Sequence, residues 1–302
     1  MAHEKNNDYH ILPPSVNPLL GSLAALVMLT GAILWMHDNG PYIFLAGFVG
    51  VLYIMYAWWS EVVAESHVGD HTPVVQIGLR YGFILFIMSE IMFFSAWFWS
   101  FFKHQLYPMY EYVGTEYLKP EFHQINAFEL PLINTLLLLV SGCAATWAHH
   151  ALVHDNNRQD LRMGLILAIA FGAVFTAFQV YEYHELLVVD GWTFSGEITF
   201  ANFFMATGFH GMHVLIGTIF LLVCLIRVTK GHFTPQSHVG FEAAAWYWHF
   251  VDLVWLFCSR LSTSGPAKLS FMAQRRYGHF TKRAACSCPF CALKVMKCGI
   301  WV

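Results

Sequence analysis

Charge is what this sequence most lacks. Asp, Glu, Lys and Arg make up 12% of its 302 residues, against roughly 25% in soluble domains. Cysteine is sparse where a covalent framework would need it. Only Cys143 and Cys224 fall in the first 257 residues, both inside apolar runs, as small buried side chains do. No small-residue cleavage pattern follows the first apolar run, and residues 1–18 are polar and Pro-rich, so no cleavable signal is expected. Strand patterning and internal repeats are missing, and so is the broken helix of an inverted-repeat transporter. No lysine sits in mid-span to carry a retinal-type Schiff base, and no helix interior holds the Glu-x-x-His motif of carboxylate di-iron bundles.

What the chain has instead is long apolar runs. It is 57% hydrophobic and 17% aromatic. A spanning helix needs about 20 mostly apolar residues, and seven stretches qualify: 17–36, 42–63, 79–102, 130–153, 161–188, 200–228 and 239–257. The class is therefore an all-α polytopic membrane protein with seven transmembrane helices. Residues 1–16 precede the first helix, 17–63 hold helices one and two, 64–257 hold helices three to seven, and 258–302 form a tail. The turn HDNGP joins the first two helices, with Asn39-Gly40-Pro41 as its breaker. Cations set the orientation. An inner N-terminus puts Lys5, Arg80, Arg158, Arg162, Arg227 and Lys230 inside, leaving Lys103 and Lys119 to the outer loops.

Polar side chains inside the spans are few enough to examine singly. Glu90 lies at the midpoint of LRYGFILFIMSEIMFFSAWFWSFF, where an acid costs about 2.5–3.5 kcal/mol on insertion scales. It must be protonated, paired, or buried against other helices. His210 and His213 in TGFHGMH are three apart and share a helix face. Glu242, His249 and Asp252 in FEAAAWYWHFVD form a polar stripe, expected to face the bundle interior. Histidines invite a haem or metal reading, yet nothing near the HxxH spacing completes a site, and the adjacent His149 and His150 point apart. They read as neutral groups bonding between helices, worth about 0.6 kcal/mol each. No prosthetic group or metal is expected in the chain. Glu90 has three candidate partners, His210, His213 and His249, among which sequence does not choose.

Seven stretches then carry a resemblance: NDYHILPPS, HTPVV, YGFILFIMSEIMFFSAWFW, LPLINTLLLLVSG, TWAHHA, FMATGFHGMHVLIGTIFL and HVGFEAAAWYWHFVD. Over residues 1–257 the chain closely resembles subunit III of cytochrome c oxidase, of the aa3 type found in α-proteobacteria. The resemblance implies two arms, helices one and two against helices three to seven, forming a V-shaped cleft that contains lipid. It implies a subunit without redox centres, with haem a, haem a3, CuA and CuB in partner subunits. The implied partners are subunit I directly, subunit II, a small subunit IV, membrane phospholipids, and cytochrome c through the complex. The implied role is to stabilise subunit I and support proton uptake into the D pathway, in a bacterial inner membrane with the N-terminus cytoplasmic. Glu90 matches the family's carbodiimide-reactive carboxyl, and His3 and His10 match an N-terminal proton-collecting cluster in which Asn7 replaces a histidine. Trp58, Trp59, Glu61, His71, Arg80 and Arg227 fall on stretches associated with lipid binding. No residue of the chain is implied to be catalytic.

The tail departs from the family. Beyond residue 257 the sequence is basic and holds the other five cysteines, including the run CSCPFC. Closely spaced cysteines can bind zinc, but eight cations on the translocated side and a shortened last helix argue for an out-of-frame or unrelated extension.

Overall fold

The computed structural model describes residues 9, 11, 14–106, 111–113, 116–118, 130–189 and 198–263. It divides into two compact units, Met1–Phe83 and Ile84–Val302.

In the first unit, α1 (Asn17–Met36) and α2 (Tyr42–Val68) form a helical hairpin. Asp38 and Gly40 take positive φ values of 65° and 78° in the reversal between them, the backbone that the HDNGP turn chemistry favours. Two glycines let the helices touch. A Cβ on Gly31 would overlap the backbone of Ile43 and Phe44, and one on Gly47 would overlap Met28. Close approach through small residues is how helices associate in lipid, where apolar burial gives no driving force between them. The third helix, α3 (Pro73–Leu106), starts in this unit. Thr72 accepts the Val75 N–H through its hydroxyl at 3.4 Å, and Pro73 takes the first helical position.

The second unit contains the rest of α3, then α4 (Leu130–Val153), α5 (Arg158–His184), α6 (Ile198–Thr229) and α7 (Val239–Thr263). A π-helical turn, Glu185–Val189, extends α5. Between α3 and α4, where the sequence shows no strand pattern, strands β1 (Glu111–Val113) and β2 (Glu116–Leu118) pair antiparallel, with Val113 opposite Glu116. Helix α4 packs on α5, α5 on α6, α6 on α7, and α7 back on α4, closing a ring. Asn157 caps α5, its side-chain oxygen accepting from the backbone N–H of Gln159 and Asp160.

Trp248 sits at the centre of this ring, fully buried. A Cβ on Gly172 of α5 or Gly217 of α6 would lie 2.7 or 2.8 Å from its ring. Its indole N–H donates to Ser141 of α4 at 3.0 Å, and the Ser141 hydroxyl donates on to the Ala168 carbonyl of α5 at 2.8 Å. One side chain thus ties α7 to three neighbours.

Among the described residues six helices, α1 to α6, are long and apolar enough to cross a membrane. The seventh run expected from sequence is a helix, but a less apolar one. It tolerates Glu242 and Asp252 because α4 and α6 cover most of its circumference, so neighbours rather than lipid set the composition it needs there.

Candidate functional site

Glu90 projects from the middle of α3 towards α6, and His213 meets it. The carboxyl Oε2 lies 3.0 Å from His213 Nε2. The other imidazole nitrogen, Nδ1, is 2.6 Å from the Phe209 carbonyl one turn earlier. A carbonyl only accepts, so Nδ1 carries a hydrogen and Nε2 is left to face Glu90. The contact then holds one proton, placed either on the carboxyl or on Nε2, and the pair carries no net charge in either arrangement.

Aromatic rings surround the contact. Phe93 and Phe94 lie 6.3 and 5.1 Å from the His213 ring, and Tyr247 of α7 stacks on it at 6.3 Å. Phe93 also meets Phe209 edge to face at 4.9 Å. Glu90 keeps 21% of its side chain open and His213 only 9%, so the carboxyl is the more accessible partner. Further along the same two helices, Ser100 donates to Asn202 at 3.1 Å.

The other two candidate histidines go elsewhere. His210 is fully buried between Phe175 and Trp255, and its Nε2 donates to the Val251 carbonyl at 3.1 Å. The HxxH pair thus reaches two different helices, α7 and α3, and its nitrogens do not converge. His249 reaches Thr146 of α4 at 3.0 Å through Nε2 and lies 3.6 Å from Asp252 Oδ2 through Nδ1. Asp252 is buried and Glu242 half-buried, but His249 leaves 46% of its side chain open. The stripe on α7 therefore runs along the margin of the bundle rather than wholly inside it. His249 is drawn to that margin by Thr146, a residue the sequence reading did not single out.

His149 and His150 diverge as expected. The His149 ring lies 5.7 Å from that of His238, while His150 stacks on His154 at 4.3 Å and points Nδ1 at Asp155, 3.4 Å away. Among the described residues no three His, Cys, Asp or Glu side chains are placed to share a metal ion.

Most of the residues expected to hold lipid belong to the first unit. Trp58 and Trp59 are exposed on α2. Glu61 accepts from Asn17 Nδ2 at 2.6 Å and Ser15 at 2.9 Å, tying the entry of α1 to α2. His71 lies 3.9 Å from Glu65, and Arg80 stands on the first part of α3. In the second unit, Arg227 lies over the Phe233 ring at 4.4 Å. His3 and His10, and all of the tail beyond residue 263, lie outside the described residues.

Sequence reasoning also missed Ser141, whose hydroxyl links Trp248 to α5, and Asn134, buried on α4. Polar residues inside the otherwise apolar run LPLINTLLLLVSG, where Asn134, Thr135 and Ser141 stand, were the available signal for both.

Together these features define a polytopic helical membrane protein whose few intramembrane polar groups pair across helices. The chain belongs to the cytochrome c oxidase subunit III family, whose description "Cytochrome c oxidase subunit III" matches residues 7–260. It is 48% identical over 258 residues to "Cytochrome c oxidase subunit 3" of Hippopotamus amphibius, covering 85% of this chain and 96% of that protein. The protein of the same name from Phoca vitulina gives the same values. That of Struthio camelus is 47% identical over 260 residues, again with 85% and 96% covered. The match ends at residue 260, close to where the sequence changes character.

Proposed function

We propose that this chain serves the oxidase as a supporting subunit, stabilising subunit I during turnover and easing proton uptake into the D pathway. In this reading haem a, haem a3, CuA and CuB stay in the partner subunits, with subunits II and IV completing the assembly. The N-terminus faces the inner side of a bacterial cytoplasmic membrane, with His3 and His10 collecting protons there, since imidazoles near their ordinary pKa of about 6.5 exchange protons at neutral pH. Trp58, Trp59, Glu61, His71, Arg80 and Arg227 hold structural phospholipid, their indoles and cations matched to the headgroup zone.

The observation that carries the supporting role is the Glu90–His213 contact. An acid in the middle of a span, a default candidate for chemistry, spends its hydrogen-bonding capacity on a neighbouring helix of its own chain. Glu90→Gln tests this directly. The amide N–H can donate to Nε2, because Nδ1–H remains committed to Phe209. Oxygen reduction by the assembled complex should then stay within about twofold of the unsubstituted enzyme, a change below about 0.5 kcal/mol. Loss of oxygen reduction in a complex that still assembles would assign Glu90 a direct part in the chemistry.

A further inference from the structure

The run TWAHHALVH at the end of α4 holds two histidines that the supporting role does not use. Its first histidine, His149, lies against the rings of His238 and Phe241. The other two, His150 and His154, are exposed. They stand four apart, and the His154 N–H still bonds the His150 carbonyl at 3.0 Å, so helical geometry carries both onto one face. Their rings stack with centroids 4.3 Å apart and planes 14° from parallel. Spacing alone does not produce this. His67 and His71 are also four apart, but Gly69, at φ 90°, ends α2 between them, and His71 lies 3.9 Å from Glu65.

Two imidazoles at i and i+4 on one helix face are a pair of metal ligands, because their ring nitrogens can reach a single ion. Tetrahedral zinc, with Zn–N bonds of about 2.0–2.1 Å, holds two nitrogens about 3.4 Å apart. Exposed side chains reach that separation by rotamer changes, with the backbone left as it is. Asp155 sets which nitrogen of His150 is offered. Its Oδ2 lies 3.4 Å from His150 Nδ1, where a carboxylate favours the hydrogen on Nδ1 and leaves the lone pair on Nε2. A carboxylate behind an imidazole in this way orients the ring and raises its basicity as a ligand. Nitrogen donors select against magnesium and calcium, which take oxygen, and suit zinc. Zinc is redox-inert, so an ion here adds no electron carrier to the chain. Among the described residues no group of three His, Cys, Asp or Glu side chains is placed to enclose an ion, so water supplies the other ligands and the ion exchanges with solution.

We propose that His150 and His154 chelate a zinc ion at the surface end of α4, with Asp155 orienting His150 and water completing the coordination.

Equilibrium dialysis of the purified whole oxidase against radioactive zinc tests it. The unsubstituted complex should bind one more ion than complexes carrying His150→Ala or His154→Ala, whose exposed side chains leave the packing of α4 intact. Asp155→Asn should keep that ion but weaken its binding at least about tenfold, as loss of an orienting carboxylate does. His37→Ala, which removes a single exposed imidazole between α1 and α2, should change nothing, and excess magnesium should not displace the ion. Equal zinc counts in the unsubstituted, His150→Ala and His154→Ala complexes would overturn the site. Loss of the ion in only one of the two histidine variants would overturn chelation by the pair. Unchanged affinity in Asp155→Asn would overturn the orienting role alone.

Discussion

Trp248→Ala should remove most of this chain from the assembled oxidase. The indole is fully buried, fills the space left by Gly172 and Gly217, and bonds Ser141 on a third helix. Truncating a buried Trp costs about 3–5 kcal/mol in well-packed proteins. In lipid the loss falls on packing and on the hydrogen bond, because apolar burial contributes little between helices there. With whole-domain stability of about 5–15 kcal/mol, such a loss should lower the chain recovered per haem at least about tenfold. Trp248→Phe keeps much of the contact surface and forfeits the N–H bond to Ser141, a change of about 1 kcal/mol. Its recovery should lie between the two. Recovery of Trp248→Ala at the level of the unsubstituted chain would show that the ring of α4 to α7 is held elsewhere.

His213→Leu is expected to have the second-largest effect, and its partner's identity makes the prediction specific. The substitution leaves Glu90 among Phe93, Phe94 and Tyr247 with no hydrogen-bond partner at its inner end. A fully buried polar group so stranded costs about 1–3 kcal/mol, an upper bound for the half-buried Glu90, whereas replacing both partners by apolar groups can be nearly neutral. His213→Leu alone should therefore weaken heat resistance of the chain in the complex, and Glu90→Met on that background should restore most of it. A double-mutant cycle read by thermal dissociation gives the coupling. Additive losses, with no restoration in the double variant, would mean that the 3.0 Å contact contributes nothing.

Much of the architecture was legible in the sequence. Helices α1 and α4 begin and end where their apolar runs do, at Asn17–Met36 and Leu130–Val153. Helix α3 overshoots its run, covering Pro73–Leu106 against the expected 79–102. Apolarity marks only the stretch in hydrocarbon, while helix continues into the interface, where Gln76 and Arg80 are tolerated. The cap at Thr72-Pro73 was the better signal for its start. The hairpin at 111–118 was not legible, since alternation over three residues is too short to stand out.

The site was legible in its members but not in its pairings. Glu90 stands out in any sequence reading because acids are costly in spans. Its partner does not, because His210 and His213 share a face of α6 and differ by less than one turn. Rotation of α6 against α3 and α7 decides it: Phe209 and Phe93 meet edge to face, turning His213 to the carboxyl and His210 to the Val251 carbonyl. The outward turn of His249 depended likewise on Thr146, a residue on another helix that periodicity on α7 could not report.

The most direct test of the supporting role compares the purified oxidase with and without this chain. Oxygen consumption with reduced cytochrome c is followed from the first turnovers until activity declines. The account predicts similar initial rates, with retained haem absorption in both preparations, and progressive inactivation during turnover only where the chain is absent. Immediate loss of oxygen reduction, together with loss of haem absorption on removing the chain, would contradict it and place a redox centre in this subunit.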